Sequence, residues 1–220
     1  MEQKEGKVLK AVENLVDEDR VISFSDAVFA FAATLLVLKI DLPPLTPDQL
    51  NSSRFLTELV NLWPSYFANI ISFLIIAFYW LNHHAIFSLV RKINSGIIWI
   101  NILFLIFLSF LPFPVDLFGE YSNNDVIIAF YCASISLVGF LLSGIWFYAL
   151  SQNLTSQNLT PKELKYYSLR FLLTPTIFAL SIPLSFIDPL LSKGCWIFVL
   201  IGIFAINSSF KFKQTQPTQL

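Results

Sequence analysis

Long apolar runs alternate with short polar breaks along this chain, six runs in all: 20–40, 63–90, 96–118, 126–150, 166–187 and 196–210. Apolar sequence of this length, without the two-residue alternation of a half-buried strand, predicts helices that cross a bilayer; about 20 residues at 1.5 Å each match its hydrocarbon thickness. The breaks carry the expected punctuation. Trp63-Pro64 places an interfacial aromatic ahead of a proline suited to a first helical turn. Arg91 and Lys92 close the second run, and the prolines of LPFPVD at 111–116 fall where a kink or an exit is tolerated. Pro175 and Pro183 lie inside the fifth run. Residues 41–62 hold three prolines and mixed charge, a loop with a short helix expected near 53–62. Ahead of the first run, Val8, Val12, Leu15 and Val16 recur at helical spacing among charges. Residues 1–19 therefore read as an amphipathic segment, 20–210 as one six-helix domain and 211–220 as a polar tail.

Composition turns this pattern into a membrane protein: 55% of residues are hydrophobic, 13% are charged and the mean hydropathy is +0.67, outside the range of a soluble domain. The formal net charge is −1, and no nucleic-acid partner is expected. The first run lacks a small-residue cleavage site and is expected to stay in the mature protein. Six crossings put both termini on one side. Of the 14 Lys and Arg, only Lys39, Arg54 and Lys193 fall on the other side, so the positive-inside rule places both termini in the cytoplasm. Cys132 and Cys195 lie in apolar surroundings and read as free buried thiols, with no metal-ligand spacing and no cofactor expected.

One residue breaks the apolar pattern. Asp26 sits inside the first run, where a carboxylate costs roughly 2.5–3.5 kcal/mol on insertion scales, which makes it a candidate functional group. On a helical wheel Phe24, Val28, Phe31, Leu35 and Leu38 form a narrow bulky stripe. Asp26, Ala30, Ala33 and Val37 form a small-residue face expected to admit a neighbouring helix. The stripe is left to face lipid, a subunit or a pore, and periodicity does not choose among them. Counted from Arg20, Arg91 and Lys92 respectively, Asp26, His84 and Asn101 fall at one depth. Ser25, Asp26, Trp80, Asn82, His83, His84 and Asn101 are therefore expected to form a polar layer, which either locks helices together or supports a proton-sensitive gate.

Arg20-x-x-x-Phe24-Ser25-Asp26 resembles the R-x-x-x-F-S-D signature of the transmembrane protein 175 family, which includes lysosomal potassium channels and their bacterial relatives. The second-run YWLNHH, Tyr79 to His84, and Asn101 with Leu111-Pro112-Phe113 in the third fit the same pattern, so the likeness covers all six runs. A single six-helix unit looks like a bacterial member. The resemblance implies an all-α homotetramer in a bacterial inner membrane, with the first helix of each subunit lining a central pore that conducts potassium past apolar rings. By position it assigns those rings to Phe31, Leu35 and Leu38, and the signature and polar network to Arg20, Phe24, Ser25, Asp26, Trp80, His83, His84 and Asn101. Where the animal channels have an isoleucine constriction this chain has Phe31, and Ala30 replaces a small hydroxyl residue just before it. That departure implies weak selectivity for potassium over sodium and a constriction moved to Leu35.

Two other classes compete. A proton-permeable channel or proton-coupled transporter would use Asp26 with His83 and His84, although inverted repeats and paired broken helices are missing from the sequence. A membrane-embedded enzyme would need a metal on His83 and His84, whose side chains point about 100° apart on a helix with no third ligand in spacing. The expected partners are copies of the same chain, the bilayer and monovalent cations, without nucleic acid.

Overall fold

The computed structural model describes residues 18–38, 40, 53–156 and 159–210. The expected N-terminal amphipathic segment up to residue 17, the proline-rich stretch at 41–52 and the tail at 211–220 lie outside the described residues. The helices in chain order are α1 (Glu18–Val37), α2 (Ser53–Asn61), α3 (Trp63–Leu89), α4 (Ser95–Phe110), α5 (Pro112–Glu120), α6 (Asp125–Ser151), α7 (Pro161–Ser185), α8 (Pro189–Cys195) and α9 (Ile197–Ser209). By length and composition α1, α3, α4 with α5, α6, α7, and α8 with α9 make six candidate membrane spans among the described residues.

Local chemistry explains where the spans start and bend. Asn94 and Asn124 cap α4 and α6 by accepting from the Ile97 and Ile127 amides at 3.0 and 3.1 Å. Thr160 and Glu163 form a capping box, which starts α7 at Pro161, five residues before the apolar run alone suggests. The third span does not exit at LPFPVD. Leu111 stays right-handed helical at φ −55 and ψ −34, and Pro112 and Pro114 occupy the first turn of α5, where no amide donor is required. The prolines therefore produce a joint, and the span continues to Glu120. Likewise the sixth span begins at Pro189, where the Asp188 carboxylate accepts from the Leu190 amide at 2.7 Å, and restarts at Ile197; the run at 196–210 is only its second piece.

Pro175 inside α7 cannot donate to the Phe171 carbonyl one turn earlier. Ser143 on α6 offers a donor there, its hydroxyl shared between the Phe171 oxygen at 2.9 Å and the Gly139 carbonyl of its own helix at 2.8 Å. At the same contact Gly139 admits both Tyr79 and Pro175: a methyl there would stand 2.5 Å from the Tyr79 hydroxyl and 2.8 Å from the Pro175 Cβ. The hydroxyl is held by donation to the Ile135 carbonyl at 2.9 Å, and a proline ring does not yield. Gly139→Ala is expected to cost about 1–3 kcal/mol by overpacking, read as a lower thermal midpoint in detergent. Gly144→Ala, with open space at its Cβ, should leave the midpoint unchanged.

α6 is the most enclosed span, burying Tyr131, Cys132, Ile135, Leu142, Ile145 and Trp146 among others, and α7 packs along it. α1 lies against α3, α4 and α5. Cys132 is buried and free, and Cys195 is free and only partly buried. Two clips fix which ends lie together. An isolated bridge joins Val90 to Thr155, with the Arg91 amide donating to the Leu154 carbonyl at 2.8 Å. At the other end Lys193 Nζ donates to the Ser122 carbonyl at 3.0 Å. This is the alternation that six crossings require: the second and fourth breaks share one face of the bundle, the third and fifth the other.

Candidate functional site

The polar layer assembles, and it divides in two. In the buried half, the Ser25 hydroxyl donates to the Val21 carbonyl at 2.8 Å, which leaves its oxygen to accept from Asn101 Nδ2 at 3.0 Å. The Asn101 amide oxygen is then the acceptor for His83 Nε2 at 3.0 Å. This bonding pattern assigns the proton of His83 to Nε2. Nδ1 of the same ring is buried without a partner, and the ring is enclosed by Phe29, Phe87 and Phe104 at centroid distances of 5.5, 4.4 and 5.8 Å. Ser25, His83 and Asn101 are all buried.

The second half is charged and half open. Asp26 Oδ1 accepts from Trp80 Nε1 at 2.8 Å and from His84 Nε2 at 2.9 Å, while the Trp80 and His84 rings meet edge to face at 4.7 Å. The His84 and Asp26 side chains are 38% and 40% exposed. His84, not His83, is thus the partner of Asp26. The two adjacent histidines point into different halves of the layer, as the 100° step of a helix requires. Asn82 joins neither; it accepts from Arg170 Nε on α7 at 3.1 Å. Among the described residues no group of three or more His, Cys, Asp or Glu is arranged to hold a metal.

The small-residue face expected to pack is not the one that packs. Val21, Ser25, Phe29, Ala32 and Leu36 are the buried residues of α1, while Ala30 and Val37 are exposed and Asp26 and Ala33 lie at the margin. The helix is turned so that Ser25 reaches Asn101 and Phe29 enters the aromatic box around His83, and a satisfied polar bond outweighs the fit of small side chains. Of the bulky stripe, Val28 packs against the core, while the described residues leave most of the rest uncovered. Phe24 and Phe31 are each 61% exposed and Leu38 71%; Leu35 is half-buried. Arg20 is exposed at the start of the same helix. Thr34, to which the wheel assigned no role, is also exposed, its hydroxyl donating to the Phe31 carbonyl at 2.9 Å.

A family model described as the endosomal/lysosomal potassium channel TMEM175 matches residues 20–112, a segment that holds α1 from Arg20 onward, the polar layer and the start of the proline joint. A potassium channel of Chamaesiphon minutus is 34% identical over 194 residues, which cover 86% of this chain and 94% of that protein. The chain belongs to the TMEM175 family. The crystal structure of a TMEM175 homolog from Chamaesiphon minutus, titled a lysosomal potassium-selective channel, superposes with a TM-score of 0.73 at 30% identity, covering 86% of this chain and 98% of that one. The family also holds a Gallus gallus relative named an endosomal/lysosomal proton channel, 35% identical over 118 residues that make up 50% of this chain and 24% of that longer protein. The motifs that carry the resemblance in the sequence, from Arg20 to Asp26, from Tyr79 to His84 and at Asn101 with Leu111-Pro112, fall inside the matched TMEM175 segment, which ends one residue before Phe113.

Proposed function

We propose that this TMEM175 chain is one subunit of a homotetrameric, potassium-permeable cation channel of a bacterial inner membrane, with both termini cytoplasmic. Four copies of α1 surround the axis, and Phe31, Leu35 and Leu38 line it as successive apolar rings. The observation that carries this reading is the division of α1 into two sides. One side is fixed to α3 and α4 by Ser25, Asp26 and Phe29; the other leaves Phe24, Phe31 and Leu38 exposed among the described residues. A ring of apolar side chains opposes a dehydrating cation, so conduction through it is slow and discrimination rests on ring width and hydration, without a carbonyl filter. With Phe31 in place of an aliphatic constriction, potassium is preferred over sodium only weakly.

Purified protein in liposomes with an outward potassium gradient tests the reading. Downhill potassium flux that needs no co-ion, together with a tetramer's mass in detergent, is the expected result; flux that stops without a proton gradient would overturn it. The half-open Asp26–His84 pair and the proton-channel name of a relative support a second reading, a proton-permeable pore. A pH-sensitive dye in the same liposomes separates the two. In that reading His84 alone shares a proton with Asp26, since His83 is committed to Asn101.

A further inference from the structure

Arg170 stands apart from the polar layer and from the face of α1 assigned to the pore. It lies on α7 among three spans: its Nε donates to Asn82 of α3 at 3.1 Å and its Nη1 to the Tyr166 hydroxyl at 3.3 Å. Tyr166 in turn donates to Asn207 of α9 at 2.9 Å and sets its ring 5.5 Å from that of Phe210, and the guanidinium lies 6.0 Å over the Phe78 ring. Every partner is neutral. Among the described residues no carboxylate lies within ion-pair distance of Arg170. A guanidinium carries five N–H donors in a planar fork, and two are used here. The cluster sits where α9 ends, at Ser209, and so at the membrane face that also carries the exposed Arg91, Lys92 and Lys165. Towards the membrane interior α9 exposes Ile201 and Phe204.

We propose that Arg170, oriented by Asn82 and Tyr166 and flanked by Asn207, is a binding site for a phosphate group, carried on the headgroup of an anionic phospholipid whose acyl chain lies along Ile201 and Phe204. A fixed positive fork with unfilled donors, about one helical turn inside the start of the apolar run of α7, recognises phosphate bidentately where a headgroup dips to meet it, and basic pockets between spans take anionic headgroups in this way. The site is independent of conduction. Its test is therefore a binding measurement that does not involve current.

The full chain in a neutral detergent is titrated with phosphatidylglycerol, with phosphatidylcholine or with inorganic phosphate, and the thermal midpoint is followed by tryptophan fluorescence. Phosphatidylglycerol is expected to raise the midpoint at concentrations at least fivefold below those phosphatidylcholine needs. Arg170→Gln should abolish that preference and Lys165→Gln should keep it. If Arg170→Gln yields no folded protein, Arg170→Lys is read instead: it retains the charge without the fork, and the preference should fall at least threefold. Inorganic phosphate that reproduces the shift alone assigns the site to a free anion and overturns the lipid as its source. Equal action of the two lipids on the unaltered chain, or an undiminished preference in Arg170→Gln or Arg170→Lys, overturns the site itself.

Discussion

Asn101→Leu is expected to destabilise the fold by about 1–3 kcal/mol, the cost of stranding a buried donor, although the two side chains share a branched outline with the same number of heavy atoms. Cross-helix hydrogen bonds in membranes contribute only about 0.6 kcal/mol on average, so the size of the effect depends on what is left behind. Here it is His83, buried, with Nδ1 already without a partner and Nε2 bonded only to Asn101. Ser25 keeps its bond to the Val21 carbonyl. Adding His83→Phe to Asn101→Leu removes both ends of the bond and puts a fourth aromatic among Phe29, Phe87 and Phe104, so the double variant should regain most of the loss. Thermal midpoints of the two single variants and the double variant measure the recovery. A double variant no more stable than the singles would mean that His83 stabilises the chain through something other than Asn101. Asp26→Ala should cost less, because Trp80 and His84 are partly exposed and reach water when the carboxylate is removed.

The other large effect concerns the stripe. In the proposed tetramer Leu35→Ser widens a ring and adds four hydroxyls, which offer oxygens to a partly dehydrated cation. Lowering the barrier by about 1.4 kcal/mol raises conductance about tenfold, and the preference for potassium over sodium should fall in the same variant. Single-channel currents or liposome flux read both. Cysteines placed singly at Phe31, Leu35 and Leu38, in a background without Cys132 and Cys195, should react with aqueous thiol reagents and block current. Ala32→Cys, at a position with no exposure, should stay inert. Lipid-facing positions would behave otherwise: Leu35→Ser would leave permeation as it was, and that result would assign the conducting face to another side of α1.

The depth of the polar layer was legible because three spans each begin or end on a basic residue, from which Asp26, His84 and Asn101 can be counted inward. Rotation was not. A wheel ranks faces by side-chain size, so it chose Ala30, Ala33 and Val37, whereas the packed side is set by which polar atom finds a partner on α4, and that depends on the placement of a helix about 80 residues away. The same gap hid the choice between His83 and His84. Span ends were misjudged where polar caps extend a helix past its apolar run, as Thr160 with Glu163 and Asp188 do. Arg170 counted in the sequence only as one more basic residue on the side of the termini; its bonds join three spans that the linear pattern does not bring together.

The buried half of the layer also has a direction. His83 gives its proton to Asn101, Asn101 gives one to Ser25, and Ser25 gives one to the Val21 carbonyl. All three donors point the same way. A hopping proton needs a chain in which each member accepts on one side and releases on the other, and a carboxamide in the middle holds its N–H hydrogens without exchanging them for a proton on its oxygen. Asn101 therefore acts as an insulator between the imidazole of His83 and the backbone of α1. In the proton-permeable reading, a proton that used this layer would therefore have to pass its open side, where the His84 and Asp26 side chains are exposed.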